Sequence, residues 1–143
     1  MRIFLSMLFC MLHSSLSLAG LGDTLTAASP DSNYLGAPVT YVSGLAVYQS
    51  ITEAGMTITY YVNFQGVIVA VSWRGPALPN LKNLLGRHFQ TYLLGTTTRL
   101  SHRHVEFITP DLVIQSNGHV RAFRGRAFLP KLLTSSNAIS QIQ

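Results

Sequence analysis

The sequence is poor in several kinds of residue, and each scarcity excludes a class of protein. Its only cysteine is Cys10, which excludes intramolecular disulfides and zinc sites built from several thiolates. Charged residues make up 10% of the chain and apolar residues 48%, with a mean hydropathy of +0.29. This composition excludes a disordered chain, because enough apolar surface can be buried to offset the loss of conformational entropy. For 143 residues, one globular domain is expected.

Acidic residues and catalytic motifs are also scarce. The chain has five acids, and Asp23, Asp31 and Glu53 fall in a polar leader or a turn, which argues against the paired carboxylates of a glycosidase. No Gly-x-Ser-x-Gly motif and no glycine-rich phosphate-binding loop is present. The sequence therefore predicts no catalytic residue and no cofactor.

The N-terminal segment has the features of a secretory signal peptide. Arg2 precedes the apolar run 3–12, and Ser17 and Ala19 are the small residues that signal peptidase requires. We therefore expect cleavage between Ala19 and Gly20. The run is shorter than the roughly 20 apolar residues that span a bilayer, so no transmembrane anchor is expected after cleavage. The mature protein is expected in the periplasm or outside the cell.

The composition divides the chain into three parts. Residues 1–19 are the expected signal peptide. Residues 20–39 are rich in Gly, Ala, Ser, Thr and Pro without a sustained apolar period, which predicts a flexible leader. Residues 40–143 carry the β-forming and helical patterns and form the expected single domain.

Alternating and apolar segments predict strands. The expected strands are Gly44–Thr52, Met56–Asn63, Val67–Trp73, Leu100–Ile108, Leu112–Ser116 and His119–Leu129. The third, Val67–Trp73, is apolar on both faces and is expected at the centre of a sheet. Asn117 and Gly118 predict a hairpin turn between the last two strands, since both residues tolerate a positive φ.

One amphipathic helix is expected over Leu78–Gly95. Its apolar stripe consists of Leu78, Leu81, Leu84, Leu85, Phe89, Tyr92 and Leu93. The stripe is interpreted as the contact with the sheet, and Gly86 inside the helix as a point of close approach to that sheet. The order β-β-β-α-β-β-β predicts an α+β fold, with an antiparallel sheet of about six strands and one helix packed on a face.

The charges are distributed unevenly. Residues 20–73 have no Lys or Arg and three acids, whereas residues 74–131 have nine bases and two acids. This basic half is interpreted first as a solvated surface that keeps the protein soluble, and contact with an anionic envelope component or another envelope protein is the alternative. Nucleic acid is not expected, because no basic cluster interleaved with aromatic residues is present.

Three arginines on the last predicted strand are the candidate anion-binding residues. They are Arg121, Arg124 and Arg126. Alternation along a strand places Arg124 and Arg126 on one face and Arg121 on the other, unless a bulge at Gly125 brings the three together. Arginine forks bind phosphate and carboxylate groups through two hydrogen bonds.

Five segments between Trp73 and Pro130 form a pattern that local structure alone does not explain. They are Trp73–Leu81, Leu84–Gly86, Phe89–Tyr92, Asp111–Ile114 and Ser116–Pro130. In these segments the chain resembles a bacterial secreted family known as domain of unknown function 2844. The similarity extends from the predicted cleavage site to Gln143, with the leader poorly matched. The sequence departs from the family at Asn80, His88, Asn117 and Gln141. The resemblance implies export from a Gram-negative cell and a single small domain, and it implies no activity. The composition adds that the protein is basic, with a formal net charge of +5.

Two classes of function are consistent with these patterns. The first is an exported, non-catalytic binding or accessory module of the cell envelope. The second, less favoured, is a metal-assisted hydrolase that uses His102, His104, Glu106 and His119. His102 and His104 are two residues apart on a predicted strand and would project from one face, which makes them weak candidate metal ligands.

Overall fold

A computed structural model describes residues 19–25, 40–96, 104–133 and 136–142. The strands are β1 Thr40–Val42, β2 Leu45–Ile51, β3 Thr57–Val62, β4 Ile68–Gly75, β5 His104–Ile108, β6 Val113–His119 and β7 Ala122–Phe128. The α-helices are α1 Leu81–Leu85, α2 Phe89–Thr96 and α3 Ser136–Gln141, and short 3-10 helices cover Gly86–His88 and Pro130–Leu132. None of the helices in these described ranges has the length and apolarity needed to cross a membrane.

The strands form one antiparallel sheet in the order β1-β2-β3-β4-β7-β6-β5. β1 to β4 follow one another as a meander, the helical segment 81–96 leads to the far edge, and β5 to β7 return to pair with β4. The sheet has seven strands instead of the predicted six because the short edge strand β1 pairs with β2. The prediction that the apolar strand near residues 67–73 is central is confirmed, since β4 has three strands on each side.

Each face of the sheet has its own apolar cluster. The larger cluster joins α1 to the sheet through Leu84 and Leu85, which pack with Val71 and Trp73. The smaller cluster lies on the opposite face, where Ala138 and Ile142 from the C-terminal segment pack with Tyr61, Ala70, Val113 and Phe128. A register shift between β3 and β4 pairs Tyr61 with Ala70 but Val62 with Ile68, so that Val69 is an extra residue in β4.

The predicted helix is present but broken. Asn80 caps α1 through a side-chain hydrogen bond to the Asn83 amide, and the helix ends at Gly86, whose φ of 51° and ψ of −125° are not helical. This break corrects the prediction that Gly86 lies inside a continuous helix against the sheet. Leu84 and Leu85 before the break are buried, whereas Leu93 beyond it is 42% exposed. Leu78 is 51% exposed because the helix begins only at Leu81.

The last hairpin turns at Val120 and Arg121, and the predicted turn at Asn117 and Gly118 is wrong. β6 continues to His119, and Gly118 pairs with Phe123 inside the ladder. A Cβ atom on Gly118 would lie 2.4 Å from the Phe123 ring, so glycine is needed there for close packing. The positive φ of the turn falls on Arg121, at 64°.

The first described residues belong to the core, which corrects part of the predicted flexible leader. Leu21 is fully buried, and its amide donates to the Leu84 carbonyl oxygen at 2.8 Å. Gly22 and Asp23 exchange main-chain hydrogen bonds with Ile68. Residues 19–25 therefore attach to the start of β4 and to α1, while the rest of the predicted leader, 26–39, lies outside the described residues.

Candidate functional site

The sheet face that carries α3 is apolar at one end and polar at the other. On β3, polar Thr57 and Thr59 precede Tyr61; on β7, polar Arg124 and Arg126 precede Phe128. On β4 and β6, which run antiparallel to β3 and β7, the apolar residue comes first and the polar residues follow. On β4 these are Ala70 and then Ser72 and Arg74. On β6 they are Val113 and then Gln115 and Asn117. Because neighbouring strands are antiparallel, the polar residues of all four strands meet at the same end of the face.

A groove of about 950 Å³ occupies this polar end. Its floor includes side chains of Gln49, Thr57, Thr59, Ser72, Gln115 and Asn117, and Ile142 borders it. Three arginines line it, Arg74, Arg124 and Arg126, and Glu106 is the one acid among its lining residues. We call this site the polar groove. It is concave, rich in hydroxyl and amide groups, and positively charged.

Arg74 and Arg124 lie directly opposite each other on the two central strands β4 and β7. Residues opposite each other on neighbouring strands have Cβ atoms about 4.5–5.5 Å apart, and like charges in that position destabilise a sheet. Both residues are exposed, and no carboxylate of the described residues forms an ion pair with either. The register therefore places the two arginines next to each other at the groove, within reach of one oxyanion.

Arg126 has a different role, because its guanidinium is already occupied. Its Nε donates to the Gln115 side-chain oxygen at 2.9 Å, and its Nη1 donates to the carbonyl oxygens of Ile139 and Ile142 at 3.1 and 3.0 Å. The guanidinium also lies over the Phe128 ring, 5.9 Å from its centre. Arg126 thus holds the C-terminal segment against the sheet and sets the wall of the polar groove.

The predicted metal candidates are placed only in part. His104 and Glu106 line the polar groove from β5, and His104 with His119 lines an adjoining pocket of about 440 Å³. The Nδ1 atom of His104 is hydrogen-bonded to the Asn117 side-chain oxygen, and Glu106 accepts from Gln115 at 3.0 Å. His102 lies outside the described residues, and within the described ranges no three His, Cys, Asp or Glu side chains are grouped for a metal ion.

The structure separates the three candidate arginines. Arg124 and Arg126 share a face, as alternation along the strand predicts, and the register through Gly125 is continuous, without a bulge. Arg121 lies in the hairpin turn and does not line the polar groove. Arg74 lines the groove from β4, and the sequence alone does not indicate it because the pairing of β4 with β7 has no local signal.

A second cluster of charged groups surrounds the predicted cleavage site. Asp23 forms an ion pair with Arg87 at 3.1 Å, and the same guanidinium donates to the Gly22 carbonyl oxygen at 2.5 Å. His88 lies beside Gly22. Burial, and secondarily the charge of Arg87, lowers the pKa of His88 from its usual 6.5, outweighing the opposite effect of nearby carboxylates. This cluster lies at the junction of α1 with residues 19–25, on the sheet face opposite the polar groove.

Comparison with known families identifies one match. A family model described as "Protein of unknown function (DUF2844)" matches residues 17–142. Comparisons with curated proteins and with solved structures give no match. Because the family model spans nearly the whole sequence, the chain belongs to the DUF2844 family.

Proposed function

We propose that this chain is an exported, non-catalytic binding module of the cell envelope, and that the polar groove binds an acidic polysaccharide. Export is supported by the signal-peptide pattern that ends at Ser17 and Ala19. The observation that carries the binding proposal is the opposed pair Arg74 and Arg124, which faces an open groove without a carboxylate partner among the described residues.

The arginine pair favours an oxyanion as the recognised group. A guanidinium presents donors in a planar fork that matches a carboxylate or a phosphate, and hydrogen bonds between charged groups are roughly twice as strong as neutral ones. Arg126 contributes a third positive charge nearby, although its Nε and Nη1 atoms already donate to Gln115 and to the C-terminal segment. One bound oxyanion would relieve the repulsion between Arg74 and Arg124 and would gain two forked contacts.

The rest of the groove favours a polysaccharide over a membrane surface. Hydroxyl and amide side chains from Gln49, Thr57, Thr59 and Asn117 line the floor, and such groups pair with the hydroxyls of a sugar chain. The concave floor lies at the end of a sheet face beside α3, so a narrow chain can enter it while a flat bilayer cannot. Carboxylates along an acidic sugar chain supply the anionic group that the arginines need.

A binding experiment with matched variants tests this proposal. The protein beginning at Gly20 is titrated with polygalacturonate, with dextran as the uncharged polysaccharide and anionic lipid vesicles as the alternative surface. The Arg74→Gln, Arg124→Gln double variant should weaken binding to polygalacturonate by about tenfold or more, since each charged hydrogen bond contributes roughly 1.5–3 kcal/mol. Added salt should weaken binding of the parent protein steeply.

Arg121→Gln is the matched control, because it removes one charge from the hairpin turn outside the polar groove. It should retain nearly the affinity of the parent. A loss of binding free energy in Arg121→Gln about half as large as that in the double variant, which removes two charges, would mean that binding follows net charge and not the groove. Binding to vesicles but not to polygalacturonate would refute the polysaccharide proposal.

A metal-assisted hydrolase is the alternative, and one observation favours it. His104 and His119 line the same small pocket, and Glu106 lies on the same face of β5 as His104. Imidazole pairs of this kind are ligands that zinc accepts. Elemental analysis of protein purified without chelators decides the question. About one zinc per chain, lost in His104→Ala, would support the hydrolase, and the absence of bound metal would refute its zinc form.

A further inference from the structure

The main-chain nitrogen of Gly20 is already positioned at a carboxylate. It donates to the Asp23 Oδ2 atom at 3.0 Å, while the other oxygen of the same carboxylate, Oδ1, pairs with Arg87 at 3.1 Å. The Asp23 amide donates in return to the Gly20 carbonyl oxygen at 3.0 Å. Gly20 therefore begins a tight turn whose first nitrogen faces an anionic oxygen.

Close packing fixes this nitrogen in place. Gly20 is buried, and a Cβ atom on it would lie 2.7 Å from the Gly86 main chain and 2.9 Å from the Asn83 carbonyl oxygen. Immediately behind it, Leu21 is fully buried and bonded to the Leu84 carbonyl. The main chain of Gly86 thus leaves space for a glycine at position 20 and for no larger residue.

We propose that cleavage after Ala19 creates an ammonium group on Gly20 that docks on the Asp23 carboxylate, so that processing completes an ion pair absent from the precursor. A signal peptidase adds water across the Ala19–Gly20 amide. The C–N bond breaks, Ala19 leaves as a carboxylate, and the Gly20 amine takes up a proton at neutral pH. This inference rests on the export part of the proposed function and is independent of the polar groove.

The new group suits the site better than the amide it replaces. An amide offers one hydrogen and no net charge, whereas an ammonium offers three hydrogens and a full positive charge. A charge-assisted hydrogen bond to Asp23 is the stronger contact, and the Asn83 carbonyl oxygen near the end of α1 lies beside Gly20 as a second acceptor. Arg87 occupies the opposite oxygen of Asp23, so both oxygens of the carboxylate would then be paired with cations.

The test measures how fast the Gly20 amine reacts with an acylating reagent in the exported, processed protein. Mass spectrometry of the first peptide establishes the N-terminus and its degree of acylation, and Lys82 serves as the internal reference. A docked ammonium must leave Asp23 and lose its proton before it reacts. We expect acylation of Gly20, relative to Lys82, to be about tenfold faster in Asp23→Asn than in the parent.

Asp111→Asn is the matched control. It removes an acid whose charge also reaches His88 beside Gly22, but whose ion-pair partner is Lys131, at 2.5 Å, and not Gly20, so it separates direct contact with Gly20 from nearby negative charge. It should accelerate acylation of Lys131 and leave Gly20 unchanged, which shows that the assay detects the loss of a carboxylate partner. Arg87→Gln, which leaves Asp23 in place, should keep Gly20 protected.

A second measurement keeps the proposal testable if Asp23→Asn is poorly folded. A chain that retains Ala19 has its ammonium displaced by one residue, and its thermal midpoint should fall by about 3 °C relative to the chain beginning at Gly20. Equal acylation of Gly20 in the parent and in Asp23→Asn, or equal midpoints with and without Ala19, would overturn the docking. An exported protein that does not begin at Gly20 would overturn the cleavage on which it depends, while leaving the binding test of the polar groove intact.

Discussion

Replacement of Leu85 by alanine is the sharpest test of how α1 is held on the sheet. Leu85 is fully buried in the larger cluster, where it packs in the same layer as Leu21 and Val71. If α1 were instead a surface for a partner, removing this side chain would leave the folded monomer nearly unaffected. The structure therefore predicts a large loss of stability.

The size of the loss follows from the complete burial of the side chain. A buried Leu→Ala change removes transfer free energy and leaves a cavity, together costing about 2–5 kcal/mol. The value should lie in the upper half of that range, because residues 19–25 and the sheet enclose α1 and limit how far the site can collapse. For a domain of this size, each kcal/mol lowers the thermal midpoint by about 3–5 °C, so a fall of more than 10 °C is expected.

Urea denaturation of the chain beginning at Gly20, followed through the single tryptophan Trp73, measures the free energy of unfolding. Leu94→Ala is the matched control, because Leu94 is 81% exposed on α2 and its loss should change stability by less than about 0.5 kcal/mol. A Leu85→Ala protein within 1 kcal/mol of the parent, at an unchanged slope against urea, would refute the assignment of α1 to the core.

Three further changes test other contacts. Arg126→Gln should destabilise the protein by roughly 1–3 kcal/mol through the lost hydrogen bonds to α3, whereas Arg124→Gln should leave stability unchanged or slightly higher, as measured by urea denaturation. The lowered pKa of His88 means that the unfolded chain binds a proton more readily. Stability should therefore fall as pH decreases below about 6.5, and His88→Gln should reduce that fall in thermal denaturation at stepped pH. Arg121→Gly should raise the thermal midpoint, since glycine adopts a φ of 64° without the cost of about 1 kcal/mol that a side chain imposes.

Local patterns were sufficient to predict most of the sheet. The strands around residues 45–51, 57–62 and 68–75 were expected within about two residues of their observed ends, because alternation and β-forming residues are properties of each segment alone. The central place of β4 also followed from its apolar residues on both faces. The edge strand β1 was missed because its three residues, Thr40–Val42, carry too short a pattern.

Contacts between distant segments explain the failures. Asn117 and Gly118 have the local preference for a turn, but the Phe123 ring packs against Gly118 from the paired strand and keeps both residues in the ladder. Gly86 was expected to face the sheet, but it faces Gly20, which lies far away in the sequence. In both cases a residue on another segment requires the glycine, and the residues next to that glycine in the sequence do not reveal the contact.

The arginines of the polar groove also depend on a contact between distant segments, and this contact bears on the proposed binding site. Arg124 was a candidate from its strand alone, but its significance depends on Arg74, which becomes its neighbour only when β4 pairs with β7. α3 and Ile142, which follows it, cover the apolar half of this face, so the charged half of two central strands stays open. Like charges opposite each other lower stability, and an oxyanion that binds only the folded state would restore it, by about 2.7 kcal/mol at a ligand concentration one hundred times Kd. If the Arg74–Arg124 pair lowers stability in the empty groove and polygalacturonate restores that stability, the pair is a binding site and not a device for solubility.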